Sequence, residues 1–251
     1  MVNTDRTALT HLIRAYLTTF DALRLPTWLA HGTLLGWWWS GRILPWDADV
    51  DAQVSGATLG RLLARGWNQS VHVYEYEEEY EEEYEYGFGF GGGDGGGVGG
   101  GGGDGDGDGD DGGDGGDGDG RVEVAPGEGE GGGGGGDGKK HRRVRQREYF
   151  LDVNPFATLP TRSGGKNVID ARWIDVETGM FVDITVLMER DPERKPGIWT
   201  CKNFHGYEPE ELFPLLETEF EGVPALVPWG YQGMLVGEYG ASALAFTEWV
   251  G

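Results

Sequence analysis

Ile43-Leu44-Pro45-Trp46-Asp47-Ala48-Asp49-Val50-Asp51, preceded by His31-Gly32-Thr33-Leu34-Leu35-Gly36, is the part of this chain from which its fold can be read. From Asp49 to Val54 polar and apolar residues alternate, the period of a half-buried strand. Residues two apart on a strand share a face, so Asp49 and Asp51 would present their carboxylates side by side. Two like charges that close are costly unless a cation joins them. Magnesium suits such a pair, because it accepts a few carboxylates, retained waters and phosphate oxygens. Taken alone, the motif is equally compatible with a solvated loop of three aspartates. Upstream, Trp28-Leu29-Ala30 reads as the end of a strand, and His31-Gly32-Thr33 as the turn into a helix that carries Leu34, Leu35 and Trp37 to Trp39 and ends at Gly41. Gly32 and Thr33 would then lie at a helix N-terminus, where backbone N–H groups and the helix dipole favour a phosphate.

Working outward, Thr4 to Leu25 has apolar residues at three- and four-residue spacing and predicts an amphipathic helix stopped by Pro26. Thr58 to Ala64 predicts another helix, and Val71 to Tyr74 a short strand. Folded sequence resumes at Tyr149. Asn167 to Val176 and Met180 to Leu187 read as strands parted by a Glu177-Thr178-Gly179 turn. A hairpin around Gly222 and a closing helix over Tyr231 to Tyr239 follow. Irregular alternation of strands and helices implies an α+β domain. Phe181-Val182-Asp183-Ile184-Thr185 sets a single acid in an apolar strand, where a lone carboxylate needs a partner, and Asp183 is thus the natural third ligand beside Asp49 and Asp51. Three carboxylates and a glycine-hydroxyl turn are what metal-assisted transfer of a phosphoryl group requires.

Between the two halves lies a tract of a different kind. The chain has 251 residues, a formal net charge of −23, 48 glycines and one cysteine. Glu75 to Gly138 holds 21 acidic residues against one basic residue, Arg121, and so −20 of the −23; Gly87 to Gly138 holds 31 of the glycines. A segment so poor in apolar surface cannot offset its ordering entropy and is expected to be disordered. Residues 75–148 therefore read as an insertion that ends in a basic run from Lys139, and residues 1–74 and 149–251 as two parts of one catalytic domain. Outside Glu75 to Gly138 there are 22 acidic and 19 basic residues, a balance that argues against a nucleic-acid partner. Neither a membrane span nor a signal peptide is expected. Cys201 can form no internal disulfide and reads as a partly buried free thiol.

The ordered set of motifs resembles the LicD/fukutin family of phospho-sugar and phospho-alcohol transferases. The segments that carry the likeness are His31 to Gly36, Ile43 to Asp51, Phe181 to Ile184, Glu211 to Leu215 and Phe220 to Pro224 with Val227-Pro228. Asn167 to Asp175 together with Leu151 to Pro155 is similar to the fungal branch implicated in attaching mannosylphosphate to cell-wall glycans. The resemblance implies a nucleotidyltransferase-like mixed sheet flanked by helices, and transfer of a phosphorylated sugar or alcohol from a nucleotide-activated donor to a hydroxyl of a glycan or glycoprotein, with Mg2+ or Mn2+. It also implies a secretory-pathway (Golgi) setting. Carried over by position, Asp49, Asp51 and Asp183 are the metal-binding acids and Gly32 and Thr33 the phosphate-holding turn. Three tryptophans stand at 37–39, where bacterial members often have a basic residue nearby, so Arg42 is the expected cation for the donor phosphate. Asp47, His31, Asp170 and Arg172 are further candidates. Asp47 either binds metal, orients the acceptor or caps the turn; His31 either contacts phosphate or has a structural role; Arg172 either meets a phosphate or pairs with Asp170 or Asp175. Two other functions fit the same residues: a non-catalytic regulator of mannosylphosphate transfer, and a glycosyltransferase that uses Asp-x-Asp to hold a nucleotide sugar.

Overall fold

The computed structural model describes residues 2–81, 140–159 and 168–245. Helix α1 (Val2–Ala22) precedes strand β1 (Thr27–Leu29), helix α2 (His31–Ser40), strand β2 (Val50–Ser55), helix α3 (Gly56–Ala64) and strand β3 (Ser70–Glu81). There follow β4 (Lys140–Val153), β5 (Ala171–Asp175), β6 (Phe181–Glu189), the two-residue strands β7 (Trp199–Thr200) and β8 (Gly206–Tyr207), α4 (Pro209–Leu212), the hairpin β9 (Leu216–Phe220) and β10 (Val223–Val227), and α5 (Tyr231–Tyr239). Six of these strands form a mixed sheet in the order β1-β2-β6-β5-β4-β3, extended at β6 by β7 and β8. Within it β2 and β6 run parallel, while β1 with β2, β5 with β6 and β4 with β5 run antiparallel. The architecture is α+β with a mixed sheet flanked by helices, as expected.

The strand period sorts side chains between two layers. On one face Val50, Ala52 and Val54 of β2 and Val182, Ile184 and Val186 of β6 meet the buried stripe of α1, Leu9, Leu12, Ile13, Tyr16 and Phe20, with Trp173 and Tyr149 from β5 and β4. The residues between them, Asp51 and Gln53 on β2 and Asp183, Thr185 and Leu187 on β6, point to the opposite face, where Trp28, Leu187, Cys201, Leu212 and Met234 form a second, smaller core. The charged residues of the site thus stand at the rim of an apolar layer.

Boundaries depart from expectation where hydrogen bonding decides them. Helix α1 ends at Ala22 instead of Leu25, because Arg24 adopts a left-handed conformation (φ 54°) and Leu25 N–H returns to the Phe20 carbonyl, closing the helix before Pro26. Glu75–Glu81 and Lys140–Glu148, assigned above to a disordered insertion, are strand. The reason is cross-strand charge pairing: Arg145 donates to Glu78 at 3.1 Å, Gln146 to Glu75 at 2.6 Å, and Arg142 lies 3.2 Å from Glu79. The glutamates that make this segment look disordered in isolation are partners of the basic run. Residues 82–139, and Asn167 at the start of one expected strand, lie outside the described residues. The chain divides into a compact unit of Met1–Glu78 with Val144–Gly251 and a second of Glu79–Arg143.

Candidate active site

Asp51 and Asp183 are register partners on the parallel strands β2 and β6, and so project side by side from one face. Asp51 is positioned by its backbone: its N–H donates to Thr33 Oγ1 at 2.9 Å, and its carbonyl accepts from Ala30 N–H, fastening the start of α2 to β2. Thr33 is buried and this bond occupies its hydroxyl oxygen, so in this structure it orients an acid. Burial raises the Asp51 pKa to about 6; His31 opposes that shift, and Asp183, Asp49 and Asp47 add to it. Asp49 precedes β2 as an exposed turn residue, its N–H donating to Asp47 Oδ1 at 3.1 Å. Gly32 admits the Asp47 carboxylate: a Cβ there would lie 2.7 Å from Asp47 Oδ2. Burial raises the pKa of Asp47; the hydrogen bond from the Asp49 N–H opposes the shift and the Asp49 charge adds to it.

Arg172 pairs with neither Asp170 nor Asp175. Its Nε donates to Asp183 Oδ1 at 2.7 Å and its guanidinium lies 4.1 Å from the centre of the Phe181 ring, because Arg172 and Asp183 are register partners across β5 and β6. Asp175 instead holds Arg147 at 2.7 Å. Asp170 is fully buried, with Lys202 Nζ at 2.7 Å and the Val186 N–H at 2.8 Å, and it ties β6 to the segment after β7. Arg42 lines a cleft with Arg6, Arg14, His11 and Glu221 on the α1 side, and does not border the cavity of about 490 Å3 lined by Gly32, Asp47, Trp39, Trp46 and Tyr239. The three adjacent tryptophans pack partly buried against the main core, Trp37 donating to Thr218 and Trp39 to the Ala243 carbonyl.

His31 opens α2 with a left-handed backbone (φ 50°), and its Nδ1 lies 2.9 Å from Glu238 Oε2 on α5. Burial disfavours the charged ring, but Glu238 and Asp51 together raise its pKa. Its Nε2 is 3.5 Å from the Gln53 amide, whose Oε1 accepts from Trp28 Nε1. The His205 ring stands 4.5 Å from that of His31. His205, Glu238 and Tyr239 escaped the sequence reading because each comes from a segment without an acidic or glycine motif. Their placement depends on how α5 and the β7–β8 connection fold over the sheet.

Residues 24–80 match the family model described as LicD/FKTN/FKRP, nucleotidyltransferase domain. Over 179 residues, 71% of the chain, it is 27% identical to Mannosyltransferase regulator 4 of Saccharomyces cerevisiae and 26% identical to Mannosyltransferase regulator 14 of the same yeast. It spans only 10% and 12% of the length of those relatives. Among the described residues no helix is long and apolar enough to cross a membrane. The matched segment carries the glycine turn of α2, the Asp47–Asp51 loop and β2, and over these residues the chain is similar to the LicD/fukutin family.

Proposed function

We propose that the chain transfers a phosphorylated sugar or alcohol from a nucleotide-activated donor to a hydroxyl of a glycan, within mannosylphosphorylation of secretory-pathway glycans. The observation that carries this reading is the in-register pair Asp51 and Asp183, with Arg172 on the next strand. The donor set fits a hard divalent cation: all its atoms are oxygens, and the Asp51 pKa, raised first by burial, is raised further by the charges of Asp183, Asp49 and Asp47, which a cation would relieve. Asp51 and Asp183 would hold the ion and the exposed Asp49 would complete its shell; Mg2+ or Mn2+ bound there would neutralise the phosphates of the donor. Thr33 keeps Asp51 in place, and Arg172 is the cation beside Asp183 that can meet a donor oxygen. Asp47, in the wall of the neighbouring cavity with Trp46 and Tyr239, is suited to orient an acceptor hydroxyl.

The test is release of nucleoside monophosphate from a panel of activated donors by the purified chain with Mg2+ or Mn2+ and a mannose-containing acceptor. Asp49→Asn combined with Asp51→Asn is expected to abolish release, and phosphorus NMR to show a phosphodiester product. A glycosidic product without phosphorus would favour the glycosyltransferase. The names of the yeast relatives, both mannosyltransferase regulators, favour a second reading, a regulator that keeps the pocket for recognition. Calorimetry showing metal-dependent donor binding, with no product from any acceptor, would establish that reading over the first.

A further inference from the structure

We propose that His31, His205 and Glu238 form a site for a transition-metal ion of the zinc type, separate from the carboxylate pair of Asp51 and Asp183. One ligand atom from each of the three lies within 4.8 Å of the other two, although the residues come from α2, the β7–β8 connection and α5. Two imidazoles and one carboxylate with a position left for water or substrate is a donor set that zinc accepts, and one unlike the all-oxygen set suited to magnesium. The inference stands independently of the proposed transfer reaction.

Three further observations support it. His205 has an acceptor on its second nitrogen, as metal-bound histidines usually do: Cys201 Sγ lies 3.4 Å from its Nδ1, while the Gln53 amide nitrogen lies 3.5 Å from His31 Nε2. Tyr207 donates to Glu238 Oε1 at 3.4 Å and orients the carboxylate. The backbone is held in a left-handed conformation at two non-glycine positions of the site, His31 (φ 50°) and Phe204 (φ 69°), the residue before His205. An ion pair of His31 with Glu238 accounts for one ring but not for a second imidazole packed 4.5 Å away. A metal ion uses both. Ligation through His31 Nδ1 displaces the proton now shared with Glu238 and leaves one on Nε2, and the Gln53 amide must then turn its oxygen from Trp28 towards His31.

The tag-free full chain, stripped with chelator and dialysed against Zn2+, should retain one equivalent and melt at a higher temperature than the stripped protein. Co2+ in its place should give the visible d–d bands of a low-coordinate site. His205→Gln and Glu238→Gln should each weaken binding at least about tenfold, with Asp183→Asn leaving it unchanged. Three of the five histidines lie outside the cluster, so these variants separate it from adventitious binding. Circular dichroism of each variant confirms that it is folded. Failure of the folded wild type to hold zinc or cobalt, or binding unaffected by both glutamine variants, would overturn the site and leave an ion pair alone.

Discussion

Asp51 and Asp183 occupy one level of two neighbouring parallel strands, β2 and β6, and Arg172 extends the same level onto β5. The row is contiguous in space although Asp51 and Asp183 are separated in sequence by the entire acidic tract. Charge at this level is therefore a property of the sheet, and it sets how the protein responds to pH, to metal and to substitution.

The raised Asp51 pKa links stability to pH. The folded carboxyl, with a pKa of about 6 against 3.8 in the unfolded chain, binds its proton more tightly, so its contribution to metal-free stability is complete below 3.8 and is lost as pH rises through about 6. At pH 7 Asp51→Asn should then stabilise the metal-free protein by on the order of 2 kcal/mol in denaturant melts. The same substitution should remove stabilisation by Mg2+, and wild-type Mg2+ affinity should fall as pH drops through about 6. Melting at pH 7 in which Asp51→Asn is the less stable protein without metal would contradict this.

Arg172 and Asp183 are both solvent-accessible, with side-chain exposures of 43% and 22%, so their ion pair contributes little to stability. Arg172→Ala should change stability by less than about 1 kcal/mol. It should raise the KM for the donor far more than it alters melting, and lysine should restore only part of the effect, because a single ammonium cannot reproduce the planar guanidinium contacts. Steady-state kinetics beside thermal melts check both parts.

Thr33→Val removes the acceptor of the Asp51 N–H at a part-buried position. A loss of about 1–2 kcal/mol is expected. Thr33→Ser, which keeps the hydroxyl, should stay near wild type in stability and in metal affinity. Equal losses in the two variants would mean that packing of the methyl group matters more than the bond.

Lys202 and Asp170 are a fully buried ion pair at 2.7 Å. Lys202→Met leaves the Asp170 charge without its main partner, since Arg190 is 3.8 Å away, and should cost about 3–5 kcal/mol. Adding Asp170→Asn should recover part of that loss, which a double-mutant cycle in urea would measure.

The paired strands β3 and β4 set the limits of a tolerated deletion. Joining Glu81 to Lys140 through an Asn-Gly turn keeps the Glu75, Glu78 and Glu79 contacts and should leave a folded, metal-binding domain. Removing Glu75 to Gly138 deletes more than half of β3 and strands the basic residues of β4, and should lower the melting temperature. Comparing the two deletions by circular dichroism tests whether the charged ladder is structural.

Much of the site was legible because its parts are local. Gly32-Thr33 at the start of α2, the Asp47–Asp51 loop entering β2, and Asp183 on an apolar strand all follow from short-range periodicity and turn chemistry. Arg172 was recognised as a candidate, but its partner was misassigned, since sequence proximity favoured Asp170 and Asp175 whereas antiparallel register selected Asp183. The Glu-Tyr stretch was misread for a related reason. Its composition describes an isolated segment, and the basic residues of β4 that pair with it lie beyond residues 82–139.

The sequence by itself determined the α+β class, the α2 turn, the acid-bearing strands and the resemblance to the LicD/fukutin family, because each depends on residues a few positions apart. Tertiary structure alone decided the partnerships: Asp51 with Asp183, Thr33 with the Asp51 N–H, Arg172 with Asp183, Lys202 with Asp170, and His31 with His205 and Glu238. The physical reason is that hydrogen bonds and ion pairs act over a few ångströms of space irrespective of chain separation. Strand register and the packing of α5 over the sheet, absent from any local pattern, set those distances.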